Sequence, residues 1–159
     1  MKDKIPVTAG VRFLKDKGVA FEGHPYKYEG PGNVAKDAAE ALGVPDEQVY
    51  KTLVFLSGGK PVLAVVDAAH RVSVKKLTAI SGADVSECPP KDAERFTGYM
   101  VGGISPFGTK RQMPVFIDES ALALPVMFIN GGARGFLVSL TPADFMKATG
   151  ATVGDIKTV

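Results

Sequence analysis

No tryptophan occurs among the 159 residues, cysteine occurs once and histidine twice. The lone thiol, Cys88, excludes an intrachain disulfide and suits a reducing cytosol, so a cytoplasmic protein is expected. His24 and His70 lie far apart and have no Cys or Glu partner at ligand spacing, so neither a metal site nor a metal cofactor is expected. Each reads as a surface or hydrogen-bonded histidine. Charge of one sign is not in excess either. Nineteen basic against seventeen acidic residues leave a net charge of +2, which excludes a polybasic nucleic-acid coat but not a local basic patch. Long apolar runs are missing. The longest, residues 121–129, is interrupted by Pro125 and is too short to span a bilayer. The first ten residues are charged and then small, with no apolar h-region, which argues against a signal peptide. Repeats, low-complexity tracts and linkers are also absent, so residues 1–159 are expected to form one domain with a real core.

Glycine is what the chain has in quantity. Four of its eighteen glycines fall in residues 98–111, Gly-Tyr-Met-Val-Gly-Gly-Ile-Ser-Pro-Phe-Gly-Thr-Lys-Arg. Glycine lets backbone N–H groups approach a ligand without a side chain in the way. A bend rich in free N–H groups can hold an anion or a developing oxyanion. A plain interstrand loop is the other reading. The stretch nearly spells a phosphate-binding loop, but lysine does not follow Gly108 directly, Pro106 removes an N–H, and a strand follows in place of a helix. Ser105 is not in a nucleophile elbow, because Phe107 stands where glycine is needed.

Around this stretch the pattern predicts short alternating elements. Thr8 caps a helix to about Lys17, and residues 19–28 read as a strand broken by Gly23 and Pro25. Asn33 caps a helix ending at Gly43. Residues 49–56 and 61–67 form a hairpin across Ser57-Gly58-Gly59-Lys60. Ser73 caps a helix closed by Gly82, residues 83–87 form a short strand, and Pro89-Pro90 opens a helix to about Phe96. Strands follow at 115–118, 126–130 and 136–140, the last two joined by a turn at 131–135. Thr141 and Pro142 start a last helix, which ends at Gly150, and the remaining residues read as a tail. Hairpins mixed with short helices predict an α+β fold with a largely antiparallel sheet or a partly closed barrel.

Lys51 is the most telling side chain. It shares a strand face with Val49, Leu53 and Phe55, where a lysine is costly unless it snorkels, is paired or lines a cavity. In a cavity its ammonium could hold a carbonyl oxygen or a phosphate; a strand-end lysine reaching solvent is the alternative. Lys75, Lys76, Lys110, Arg111 and Arg134 could meet a polyanion if folding clusters them. Tyr26 and Tyr99 read either as packing residues or as site residues. Cys88 has no visible activating base and reads as structural.

Three segments together resemble the YbaK/EbsC family of trans-editing aminoacyl-tRNA deacylases. They are Gln48-Val49-Tyr50-Lys51-Thr52-Leu53, then Thr97-Gly98-Tyr99-Met100-Val101-Gly102-Gly103-Ile104-Ser105-Pro106, and Gly131-Gly132-Ala133-Arg134-Gly135. The resemblance implies an α+β fold, with a mixed, largely antiparallel sheet curled into a barrel-like core with surrounding helices. The same fold is inserted in many bacterial prolyl-tRNA synthetases. The implied task is removal of cysteine mischarged onto tRNA(Pro), since near-isosteric amino acids are poorly told apart by binding alone. The implied partners are the 3′ end of an aminoacylated tRNA and prolyl-tRNA synthetase, with no cofactor.

By position, Lys51 matches the family's essential lysine. Gly102, Gly103, Ile104, Ser105 and Pro106 match its substrate-contacting loop, Gly102 and Gly103 as catalytic and the other three as substrate-binding, with loop N–H groups that would hold the carbonyl oxygen or the amino group. Tyr26 matches a pocket tyrosine. Leu137 departs from the pattern, standing where relatives often carry an aspartate. The implied chemistry uses no protein nucleophile: the substrate's own thiol attacks its ester carbonyl and expels the tRNA as a thiolactone forms. Two other readings stay open. One is a deacylase that clears alanine or another small amino acid from tRNA(Pro) with water, and the other is a non-catalytic tRNA- or synthetase-binding module.

Overall fold

Thr8 opens the first helix. Its hydroxyl accepts a hydrogen bond from the Val11 N–H, capping helix α1 (Ala9–Asp16), and Gly18 leaves the helix at φ +67°. The same device recurs. Asn33 caps α2 (Val34–Leu42), Ser73 caps α3 (Val74–Ser81) and Thr141 caps α5 (Pro142–Thr149). Left-handed Gly43, Gly82 and Gly150 end those three helices. Helix α4 (Pro90–Thr97) has no side-chain cap and starts at its proline. The computed structural model describes residues 5–159, so the first four of the ten residues read against a signal peptide lie outside the described residues.

Eight strands form one mixed sheet: β1 (Glu22–Pro25), β2 (Val49–Ser57), β3 (Lys60–Asp67), β4 (Val85–Glu87), β5 (Val115–Asp118), β6 (Met127–Ala133), β7 (Phe136–Leu140) and β8 (Thr152–Gly154). Their order is β1-β7-β6-β2-β3-β5-β8, with β4 added to β2. The β2–β3 hairpin pairs Tyr50 with Asp67 and Lys51 with Val66. The pairs β2–β6, β3–β5 and β5–β8 are parallel and the other four antiparallel, which gives the α+β class the pattern predicts.

Strand β3 is central and buried on both faces. Leu63 and Val65 join a cluster with Leu14, Phe107, Ile129, Phe136 and Phe145, while Val62, Ala64 and Val66 join one with Leu77, Phe116 and Ile156. Each fully buried leucine in these clusters contributes about 1.5–3 kcal/mol over leaving it exposed. A third cluster, Ala38, Ala39, Val49, Ala68 and Leu137, fixes α2 against the start of β2.

Three elements differ from expectation. The strand read over 19–28 pairs only as Glu22–Pro25, followed by one further bond from the Tyr26 N–H to the Gly135 carbonyl. The turn expected at 131–135 is confined to Arg134-Gly135, and Gly131 to Ala133 form the bulged end of β6. There the Asn130 side chain accepts from the N–H groups of Gly132 and Ala133, and Gly132 sits at φ +109°. The residues read as a tail are part of the fold. Strand β8 pairs with β5, Ile156 is fully buried, and Asp118 accepts hydrogen bonds from the N–H groups of Ile156 and Lys157 at 2.9 and 3.1 Å.

Candidate active site

The site is a gap in the sheet. On one edge, β3 follows β2 along its length. On the other, β6 pairs only with Val49 and Tyr50, and β4 only with Phe55, Leu56 and Ser57. Lys51, Thr52 and Leu53 therefore have no strand on that edge. All three line a cavity of about 440 Å³, although alternation along β2 would separate them. Gly102 and Ile104 of the glycine stretch complete the cavity with Tyr26, Asn130, Leu137 and the Ala35 and Ala38 surface of α2.

Lys51 is half-buried and forms no ion pair among the described residues. Burial pushes its ammonium below the usual lysine range. Asp67 opposes that shift, and Arg71 and Lys36 add to it. Tyr26 and Thr52 line the cavity as residues, while Thr52 Oγ1 and Tyr26 Oη themselves are buried in the protein, and among the described residues neither has a hydrogen-bond partner. Burial also raises the Tyr26 phenol, and the nearby Gly135 backbone offsets part of that shift, so it stays protonated at neutral pH.

The glycine loop is held from three sides. Glu94 of α4 accepts from the Val101 N–H at 2.8 Å, Arg134 Nε donates to the Val101 carbonyl at 3.0 Å, and Asn130 Nδ2 donates to the Gly102 carbonyl at 3.4 Å. Gly102 sits at φ +94°, and a Cβ there would meet the Tyr28 hydroxyl at 3.0 Å. At Gly103 a Cβ would lie 2.8 Å from the Arg134 backbone N, so only glycine lets the loop pack on β6. Among the described residues the N–H groups of Gly102 and Ile104 have no acceptor, and both residues line the cavity.

The structure thus brings together Lys51, Tyr26, Gly102 and Ile104 of the residues singled out above. The other three lie elsewhere. The Gly103 N–H donates to the Met100 carbonyl at 2.8 Å, so it is not free for a ligand. Ser105 is fully buried, with Oγ accepting from the Phe107 N–H at 3.2 Å. Pro106 lines a different cleft, beside Lys17, Lys110 and Lys147.

The basic residues do not gather at one place. Lys76 pairs with Asp155, and Arg111 lies over Phe96. Arg134 alone of the five holds the cavity loop. Tyr99 packs inside and donates to the Phe107 carbonyl, with burial pushing its phenol up to about 12. His24 bonds Ser139 and His70 bonds Asp67, both at distances typical of ordinary hydrogen bonds. Cys88 is partly exposed, and burial raises its thiol.

Two site residues escape sequence reasoning. Thr52 is hidden by alternation, which assigns it to the face opposite Lys51; nothing in the sequence says that β2 loses its neighbour there. Asn130 carried a signal, since Asn before a Gly-Gly pair often bonds its own backbone two residues on.

Comparison with known proteins identifies the family. Residues 30–148 match the aminoacyl-tRNA editing domain family. The chain is 31% identical to the Enterococcus faecalis protein named "Putative Cys-tRNA(Pro)/Cys-tRNA(Cys) deacylase EbsC", over 95% of this chain and 93% of that protein. It is 36% identical to a proline–tRNA ligase of Nitratidesulfovibrio vulgaris over 72% of this chain but only 19% of the ligase. A solved structure described as "a putative trans-editing enzyme for prolyl tRNA synthetase" superposes with a TM-score of 0.83 at 27% identity, covering 97% of this chain and 100% of that one. The chain therefore belongs to the aminoacyl-tRNA editing domain family.

Proposed function

We propose that the chain is a cytoplasmic trans-editing deacylase that cleaves the ester between a wrongly attached amino acid and the 3′ end of tRNA. Residues 1–159 are taken as one such unit. The observation that carries this reading is the cavity itself: an unpaired, half-buried Lys51 shares it with the unpartnered N–H groups of Gly102 and Ile104. That arrangement suits an ester whose carbonyl oxygen gains negative charge. Lys51 binds the terminal ribose or the ester, and the two N–H groups receive the carbonyl oxygen. Ser105 and Pro106 act by shaping the loop, and Gly103 by letting it sit close to β6.

The preferred substrate is Cys-tRNA(Pro), by analogy with the named relative. The thiol sulfur attacks the carbonyl carbon, the bond from that carbon to the ribose oxygen breaks, and the departing oxygen takes up the thiol proton. The ring that closes contains sulfur, Cβ, Cα and the carbonyl carbon, so its strain offsets part of the proximity gain. Water attack on a small aminoacyl ester such as Ala-tRNA(Pro) is the second reading, favoured by the apolar wall of Ala35, Ala38, Val49 and Leu137. Prolyl-tRNA synthetase, which carries a homologous segment in relatives, is the proposed partner.

The test is deacylation of Cys-, Ala- and Ser-tRNA(Pro) by the pure protein, with and without the synthetase. Loss of the cysteinyl ester alone supports thiol assistance. Preferential loss of the alanyl ester replaces that chemistry with water attack. Inertness toward all three, synthetase included, refutes the deacylase reading.

A further inference from the structure

Among the exposed large apolar side chains of the described residues, only Met100 and Val101 are neighbours in the chain, at 59% and 43% exposure. They stand on a turn. The Gly103 N–H donates to the Met100 carbonyl at 2.8 Å, and Gly102, at φ +94°, takes the position of a type II turn that favours glycine. Two charged side chains clamp Val101 by its backbone. Glu94 accepts from its N–H at 2.8 Å, and Arg134 Nε donates to its carbonyl at 3.0 Å. Holding the Gly102 N–H steady accounts for that clamp. It does not account for an apolar tip left in water.

Arg134 adds a second feature. The residue is exposed, forms no ion pair among the described residues, and lays its guanidinium over the Tyr28 ring, 5.4 Å from the centroid. Tyr28 in turn lies against the turn, since a Cβ on Gly102 would meet its hydroxyl at 3.0 Å. A ring, a guanidinium plane and two exposed apolar side chains therefore gather around one clamped peptide. Val101 and Gly102 also line the cavity, so this cluster stands at its mouth.

Aromatic rings, guanidinium planes and apolar side chains suit the flat face of a nucleobase. Continuity with the cavity selects that occupant over a protein surface. The base is joined through its ribose to the ester that Lys51 and the loop N–H groups receive, so it must lie just outside. Resting on the deacylase reading, we infer that Met100, Val101, Arg134 and Tyr28 form a nucleobase subsite, which packs against the terminal adenine of the tRNA while the ester occupies the cavity.

Binding of two uncleavable probes tests this apart from turnover. One is the trinucleotide cytidyl-cytidyl-adenosine bearing alanine through a 3′-amide, and the other is the same molecule without its terminal base. The parent protein should bind the first about tenfold tighter. Met100→Ser should weaken the adenine probe about fivefold and leave the abasic probe and the melting temperature unchanged. Arg134→Lys keeps the charge but not the plane, and should show the same selective loss. Tyr28→Phe should retain the preference for adenine.

Equal affinity of the parent for the two probes overturns the inference, as does failure of the adenine probe to bind. So does a loss in Met100→Ser and Arg134→Lys that is absent, or that is equal for both probes and so marks supports of the loop alone. A defect seen only when prolyl-tRNA synthetase is added would also overturn it and assign the turn to a protein contact. If aminoacyl-tRNA is still turned over in those cases, the deacylase reading survives alone. Discrimination for adenine without any turnover would refute that reading and leave the subsite standing.

Discussion

Asp118 and Thr52 are both buried polar residues on strands of one sheet, and they have opposite surroundings. Asp118, fully buried, accepts from the N–H groups of Ser120, Ile156 and Lys157. Thr52, 7% exposed, has a hydroxyl with no partner. The first arrangement ties β5 to the C-terminal segment and leaves nothing over. The second, at the β2 gap beside Lys51, keeps bonding capacity unspent. A satisfied buried group ties elements together, and an unsatisfied one is bonding capacity that the fold leaves unspent. Substitutions at the two places should therefore fail in different assays.

Lys51→Ala should have the largest effect, lowering kcat/KM for aminoacyl-tRNA about 10²–10³-fold with circular dichroism unchanged. Its stability should move the other way. The folded-state pKa of Lys51 lies below the unfolded one, so folding works against the charged form below that range. Lys51→Met should accordingly melt higher at pH 7 than the parent, and a lower melting temperature would place Lys51 with the structural groups.

Asp118→Ala comes next and should cost about 3–5 kcal/mol, read from denaturant unfolding, because it strands three N–H groups. Burial alone would raise the Asp118 carboxyl, but hydrogen bonds from Ser120, Ile156 and Lys157 outweigh it and hold the pKa below the usual range. Its stabilisation is therefore complete above the unfolded value of about 3.9 and is lost as pH falls through the lower folded value. Melting temperatures from pH 2 to 6 should show that acid limb in the parent and a flatter one in Asp118→Asn.

Asn130→Ala should cut kcat/KM about tenfold, mainly in kcat, by releasing the Gly102 carbonyl and the β6 bulge. A change confined to stability would make Asn130 a turn residue only. The smallest effect belongs to Thr141→Ala, which removes the α5 cap. It should cost about 1 kcal/mol and leave deacylation untouched.

Local chemistry made most of the elements legible. Thr8, Asn33, Ser73 and Thr141 cap the helices they were expected to cap, and the β2–β3 hairpin turns at Gly58 and Gly59. Caps and tight turns act within a few residues, so sequence carries them. The C-terminal strand was missed because its partners, β5 and Asp118, lie more than thirty residues earlier. The turn in 131–135 is shorter than the glycines alone suggest, because the Asn130 side chain holds Gly132 and Ala133 in β6.

The candidate site divides the same way. By itself the sequence determined that a lysine stands on an apolar strand, that a glycine stretch follows at a distance, and that both match one family. Tertiary structure alone decided that β6 and β4 each stop short along β2, and that the resulting gap holds Lys51, Thr52, Gly102 and Tyr26 together. It also decided which loop N–H groups remain free. The physical reason is that hydrogen-bond partners of a strand edge or a loop are supplied by distant segments, and a local pattern cannot report a partner that never arrives.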